Sequence, residues 1–273
     1  MIDVKWKTGF LKINEIWFCR EELPILLKSK RRTDLMIVRG VLEGKGGGFC
    51  IWNKFNTLIT DLTLPESVLY EKISKKVRYQ CRRSEGDNIK VCFYSSEDIK
   101  KAPELLAKFA DVYDSMFRSK GMDNRFRLPI IRQYLEAGAI IFSAVWQEDK
   151  LLVFHSYICD DENVRSLHSA SRCRDRGIEQ SVVGRANKRL HWEDIRYFKK
   201  KGLLCYDWGG ISNFENPNGI DEFKLSFGGD KLIYYNITAG KTVIGKLAVV
   251  AMKILGKVSS GKIRSDFEGR KRS

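Results

Sequence analysis

The sequence predicts an α/β protein: a mixed, twisted sheet flanked by helices, with a shorter strand-rich lobe before it and a basic amphipathic helix after it. Three observations carry that expectation. Short β-branched and aromatic runs crowd residues 1–70. Leu105, Leu106, Phe109, Ala110, Val112, Tyr113, Met116 and Phe117 recur at helical spacing. Three apolar runs separated by polar turns then fill Ala139 to Ser171, and a helix and two further strands follow.

In chain order, Ile16 to Cys19, Leu35 to Val38 and Phe49 to Trp52 read as strands of the first lobe, residues 1–70. Gly44 to Gly48 lacks the G-x-x-x-x-G-K-[ST] spacing of a phosphate loop and reads as a hairpin turn. Leu64-Pro65-Glu66-Ser67 opens a helix that runs to about Arg83, proline standing early where its missing N–H is harmless. This helix is basic, through Lys72, Lys75, Lys76, Arg78, Arg82 and Arg83, and is either a solvated face or the wall of an anion-binding cleft. Residues 71–237 form the second expected domain. It holds a strand at Ile89 to Tyr94, the helix around Phe109, and a shorter helix at Leu128 to Leu135. Strands at Ala139 to Gln147 and Leu151 to Cys159 flank the turn Glu148-Asp149-Lys150, and a third runs from Val164 to Ser171. An arginine-rich loop at Arg172 to Arg185, a helix through Lys201, and strands at Leu203 to Trp208 and Leu232 to Ile237 complete it. Residues 238–273 are the basic tail. Ile244, Leu247, Ala248, Ala251, Ile254, Leu255 and Val258 share one helical face opposite Lys246, Lys253 and Lys257. Such a helix either lies on an anionic membrane surface, through residues 239–273, or docks on the protein's own core.

The formal charge of +15 points to an anionic partner, whether nucleic acid, a phosphorylated cofactor or an acidic membrane surface; the alternative is simply a basic, soluble surface. Hydrophobic residues at 43% exclude wholesale disorder. Seven cysteines without C-x-x-C spacing sit mostly in apolar runs, which favours a reducing compartment and argues against a structural zinc site. The charged N-terminus and the lack of an 18-residue apolar run predict a cytoplasmic protein, at most peripheral at the inner face of a membrane.

The stretch from Leu190 to Gly229 is the most specific. Trp192-x-x-Ile195-x-x-Phe198-x-x-x-Gly202, then Tyr206-Asp207-x-Gly209-Gly210-Ile211, then Gly219-Ile220-x-x-Phe223-Lys224-x-x-Phe227-Gly228-Gly229 resembles the Fem family of aminoacyltransferases. These enzymes build peptide bridges onto peptidoglycan precursors. With related acyltransferases of envelope and polysaccharide clusters they belong to the GNAT acyltransferase superfamily. The resemblance is good from about residue 60 to 237 and includes Thr60-Asp61-Leu62 and the basic helix after it.

The resemblance implies a GNAT-type fold in which two neighbouring parallel strands, here Val164–Ser171 and Leu203–Trp208, splay around the acyl donor. A helix start after the first strand then binds the donor's phosphates through free N–H groups. The donor-binding residues so implied are Arg172, Arg174, Arg176, Gly184 and Arg185, with Phe223. Ser181-Val182-Val183-Gly184-Arg185-Ala186 departs from the R/Q-x-x-G-x-G/A pattern of coenzyme A users, with Gln180 one place early.

Three residues are the catalytic candidates. Lys224 matches the family lysine that stabilises the transferring carbonyl, or else makes a surface ion pair. Asp207 either handles the acceptor's proton and ammonium or caps the turn before Gly209-Gly210. His168, mid-strand beside the donor gap, is a base or a hydrogen-bonded core residue. Tyr206 and His155 are the expected substrate contacts, and no metal is expected. The resulting function is transfer of an acyl group, acetyl foremost, from acyl-CoA to an amine of a cell-envelope or polysaccharide sugar precursor. The alternatives are Fem-like transfer from aminoacyl-tRNA to a peptidoglycan precursor peptide, and a non-catalytic nucleic-acid-binding protein. The partners are accordingly the acyl donor, a sugar or peptide acceptor that is free or lipid-linked, tRNA under the Fem-like alternative, and the anionic membrane surface.

Overall fold

The computed structural model describes residues 1–19, 23–28, 32–42, 48–175 and 177–255. Arg176, most of the glycine turn at 44–48 and the tail beyond 255 lie outside the described residues. In chain order the elements are β1 (Ile2–Thr8), β2 (Leu11–Trp17), α1 (Leu23–Lys28), β3 (Leu35–Val41), β4 (Cys50–Asp61), α2 (Glu66–Lys72), α3 (Lys75–Arg83), β5 (Lys90–Tyr94), α4 (Ser96–Lys101) and α5 (Pro103–Ser119). They continue with α6 (Leu128–Glu136), β6 (Ile140–Gln147), β7 (Lys150–Cys159), β8 (Asn163–Ser171), α7 (Gln180–Lys200), β9 (Cys205–Ile211), α8 (Gly219–Leu225), β10 (Asp230–Gly240) and α9 (Val243–Ile254). The chain divides into two compact units: Met1–Asn56 with the described residues from Ile233 onward, and Thr57–Leu232.

In the terminal unit the strand order is β1-β2-β3-β10-β4. β1 and β2 form an antiparallel hairpin, β2 and β3 are parallel, and β3 and β10 are antiparallel. The alternation of Ile2, Val4 and Trp6 makes β1 a strand that the apolar-run reading passed over. One face packs Ile16, Met36, Val38 and Ile237 on Leu26 of α1. The other packs Ile13, Leu35 and Ile51 on Val249 of α9.

In the central unit the order is β4-β9-β8-β7-β6-β5, with β8 and β9 parallel and β5 to β8 antiparallel. The mixed sheet flanked by helices is therefore present. On one face Phe109 of α5 stacks on Phe142 and lies against Phe154. On the other, Trp192, Ile195 and Phe198 of α7 and Val77 and Cys81 of α3 bury Tyr157, Tyr206 and Trp208. Lys75, Lys76, Arg82 and Arg83 of α3 stay on its exposed side.

Three local expectations change. The helix from Pro65 to Arg83 is two helices, because Ser74 caps α3 by accepting from Val77 N–H while the preceding Ile73 is extended and buried. Gly184 and Arg185 lie inside α7, which starts at Gln180, so the arginine loop is shorter. Phe223-Lys224, read from the sequence as carried on a loop between the glycine pairs 209–210 and 228–229, lies in α8 because Asn218 and Asp221 form a capping box.

Candidate active site

The central sheet opens between β8 and β9. Their parallel ladder consists of Asn163–Cys205, Val164–Tyr206 and Arg165–Asp207. β8 then continues to Ser171 along β7, and β9 continues to Ile211. Two sequence features lie where the ladder ends. Leu167 is an extra residue in β8, since Tyr157 pairs with Ser166 but Ser156 pairs with His168, and such a bulge bends its strand. Gly209 holds φ at +72°, and a Cβ there would lie 2.9 Å from the Ser166 carbonyl oxygen, so glycine alone lets β9 pass this close.

Beyond the fork the chain turns into α8, tied by Asp221. Its carboxylate accepts from the N–H groups of Ser212 at 2.9 Å and Asn218 at 3.2 Å and from the Ser212 hydroxyl. Burial raises the Asp221 carboxyl, but the Ser212 hydroxyl and these N–H groups outweigh it and hold the group below the usual carboxylate range. With the loop fixed, Lys224 turns back toward β9 and its Nζ donates to the Gly210 carbonyl at 2.7 Å. Burial pulls the ammonium down to about 8; Asp207 and Asp221 oppose this and Arg165 adds to it. Lys224 is thus a cation held at the fork and close to releasing its proton.

Asp207 lies beside it. Its Oδ1 accepts from Thr57 Oγ1 at 2.5 Å and from Gly209 N–H at 2.8 Å, and Oδ2 is 3.5 Å from Arg165 Nε. The turn-capping geometry is present, and it also links β4 and β8. His168 is elsewhere. Its Nδ1 is 2.8 Å from Ser156 Oγ, and its ring stands edge-on to Tyr113 and tilted on Phe126. Burial, with help from Arg127, pushes His168 down to about 3, so it is neutral across the physiological range.

Among the described residues, the expected donor residues are not gathered around one anion site. Arg172 pairs with Asp175 at 2.7 Å and Asp111 at 2.6 Å. Arg185 forms two 2.6 Å bonds to Asp87. Arg174 donates to the Ser119 carbonyl at 3.2 Å. Glu179 precedes the first turn of α7 and accepts from the Ser181 hydroxyl, so a carboxylate sits where a phosphate was expected. Phe223 packs on His191, with ring centroids 5.3 Å apart.

His155 and Tyr206 join a buried polar network that includes four residues the sequence reading missed: Tyr157, Asn187, His191 and Asp194. His155 Nδ1 is 2.7 Å from Asp194 Oδ2 and its Nε2 is 2.9 Å from Asn187 Oδ1. Tyr157 donates to Asp194 Oδ2 at 2.6 Å and lies 3.0 Å from the Tyr206 hydroxyl. Burial, reinforced by Asp194, raises both phenols far above their ordinary range. Burial, with His155 and Lys224 adding to it, pushes His191 well down. The available signal was the spacing of Asn187, His191 and Asp194, which lie four and three residues apart and so share one face of α7.

His155, His191 and Asp194 each bring a ligand atom within 4.8 Å of the others. The imidazoles stack at 4.0 Å with 29° between planes, so their in-plane lone pairs run side by side instead of converging. Both nitrogens of His155 are also already engaged. The cluster fits a hydrogen-bonded core better than a metal centre.

No protein-family profile matches the sequence, and neither does any curated protein. Solved structures do. FemX matches with a TM-score of 0.60 at 13% identity, over 91% of this chain and 85% of that one. The C-terminal domain of a protein from Agrobacterium fabrum, named as a lysylphosphatidylglycerol synthetase, matches at 0.58 and 12% identity over 93% and 85%. L-PGS from Bacillus licheniformis matches at 0.53 and 13% identity over 91% and 84%. The chain shares the fold of FemX and of these synthetase structures. At these identities the likeness is one of fold. No helix among the described residues is long and apolar enough to cross a membrane.

Proposed function

We propose that this protein is an N-acyltransferase that works at the β8–β9 fork. The observation that carries the reading is the parallel ladder that stops after Arg165–Asp207, with Lys224 held at the place where the strands part. An acyl donor threaded into the fork presents its carbonyl to Lys224. The neutral amine of the acceptor attacks that carbon; the C–N bond forms, and the oxyanion is stabilised by the ammonium. With a thioester donor the C–S bond then breaks, and the departing thiolate takes up the proton that the amine gives away. A lysine near 8 serves this step well, because it is charged at neutral pH yet able to exchange its proton. Asp207 holds the fork through Thr57, Gly209 and Arg165.

The first reading of the reaction is transfer of an acetyl group from acetyl-CoA to an amine of an envelope or polysaccharide sugar precursor, at a cytoplasmic site. One observation favours a second reading, transfer from aminoacyl-tRNA to a peptide acceptor. Arg172 and Arg185 are already paired with aspartates and Glu179 stands before α7, which leaves the helix start poorly suited to a pyrophosphate. The test measures transfer from labelled acetyl-CoA to glucosamine and, in parallel, from aminoacyl-tRNA to a peptidoglycan-type peptide. Transfer from one donor, lowered on the order of a hundredfold or more by Lys224→Ala, is expected. Transfer from aminoacyl-tRNA alone selects the second reading. Full activity of Lys224→Ala overturns the role of the lysine, and the absence of transfer from either donor overturns the function.

A further inference from the structure

Helix α9 docks on the terminal unit by one side and leaves a second apolar side uncovered. Val249 is fully buried against Ile13, Leu35 and Ile51. Gly245 lies so close to the chain that a Cβ would meet the Asp34 carbonyl oxygen. Thr242 caps the helix at Gly245 N–H and donates to Asp34 at 2.7 Å. The sequence stripe built on Ile244, Leu247 and Ile254 is therefore not the docking face. At about 100° per residue, Val243, Leu247 and Ile254 fall opposite Gly245 and Val249. These three are 73%, 63% and 78% exposed, and Ile244 and Leu255 are exposed beside them.

The charges around this face have one sign. Lys246 and Lys253 are the charged residues of α9, and they line one edge of the exposed stripe. Lys246 lies over Phe49, itself partly exposed, at 5.3 Å, and Lys253 donates to the Gly48 carbonyl at 2.9 Å. The sequence of residues 256–273 adds six basic residues against two acidic ones. Its large apolar residues are Val258, Ile263 and Phe267. A second copy seated on the same face would bring lysine edges and basic tails together.

We propose that the exposed face of α9 seats on an anionic lipid surface, with Val243, Leu247 and Ile254 entering the boundary between headgroups and acyl chains and Lys246 and Lys253 meeting the headgroups. Twelve residues are too few to cross a bilayer but suit a helix lying in its interface. Apolar burial and a basic cluster together supply the two signals that stable peripheral binding needs.

The full chain is floated with phosphatidylcholine vesicles that contain or lack phosphatidylglycerol. Binding to the anionic vesicles is expected. It should fall about fivefold for each lysine neutralised in Lys246→Gln and Lys253→Gln, at about 1 kcal/mol per charge. Leu247→Glu with Ile254→Glu should abolish it, with the melting temperature unchanged because both side chains are exposed. No binding to anionic vesicles overturns the proposal. So does equal binding to neutral vesicles, or a dimer that the glutamate pair dissolves.

Discussion

Lys224→Met asks whether the fork stores unfavourable charge. The folded ammonium titrates near 8 and the ordinary lysine value is 10.5. At about 1.4 kcal/mol per unit, a gap of about 2.5 units is a penalty of about 3.4 kcal/mol. Between those two pH values the unfolded chain binds more protons than the folded one, so stability rises with pH there. The penalty is complete below about pH 8, and roughly 2 kcal/mol of it is relieved by about pH 9.5. Methionine keeps the unbranched shape without the charge, but it loses the bond to the Gly210 carbonyl, worth about 1 kcal/mol. The variant should therefore be about 2 kcal/mol more stable than the wild type near pH 7 and close to parity near pH 9.5. Urea denaturation of both proteins at the two pH values measures this. A variant less stable than the wild type at pH 7, by an amount independent of pH, would refute the burial argument.

Two further outcomes follow from the same unit. Gly209→Ala forces a side chain into φ +72° and toward the Ser166 carbonyl, and should cost about 2–3 kcal/mol in thermal or chemical denaturation; a loss under about 0.5 kcal/mol would mean the strands do not need this approach. His168 stays neutral when folded down to about pH 3, whereas an unfolded histidine takes a proton below about 6.5. The wild type should then lose about 2 kcal/mol between about pH 7 and pH 5 through this residue, and His168→Phe should show a correspondingly smaller acid loss, read as a shift in the acid denaturation midpoint.

What the sequence made legible follows from periodicity. α5 was visible because Phe109, Val112 and Tyr113 line a single buried stripe, and β6 to β8 because their apolar runs are broken by short polar turns. The Lys224 region was visible because the glycines and aromatics around it sit at distinctive spacing. Helix α8 was hidden: seven residues are too few for a periodic signal, and its start depends on the cap of Asn218 and Asp221. The pairing of Arg172 and Arg185 was hidden for a different reason. Asp111 lies on α5 and Asp87 lies 98 residues from Arg185, and no local pattern reports such distant partners. The bulge at Leu167 left no mark either, because a strand with one extra residue reads like any other strand until its neighbour is known.

The polar face of α7 decides where that helix rests as well as what surrounds His155 and Tyr206. An aliphatic seam can slide by a turn and meet much the same chemistry, whereas hydrogen bonds cannot be exchanged so freely. With Asn187 and Asp194 both gripping His155, a one-turn slip would leave a carboxylate buried without partners and set Leu190 among polar groups. The aliphatic residues of this helix can consequently vary in size while its position stays single-valued. The helix is addressed by three polar side chains, and the neighbouring aromatics fill the space that this address defines.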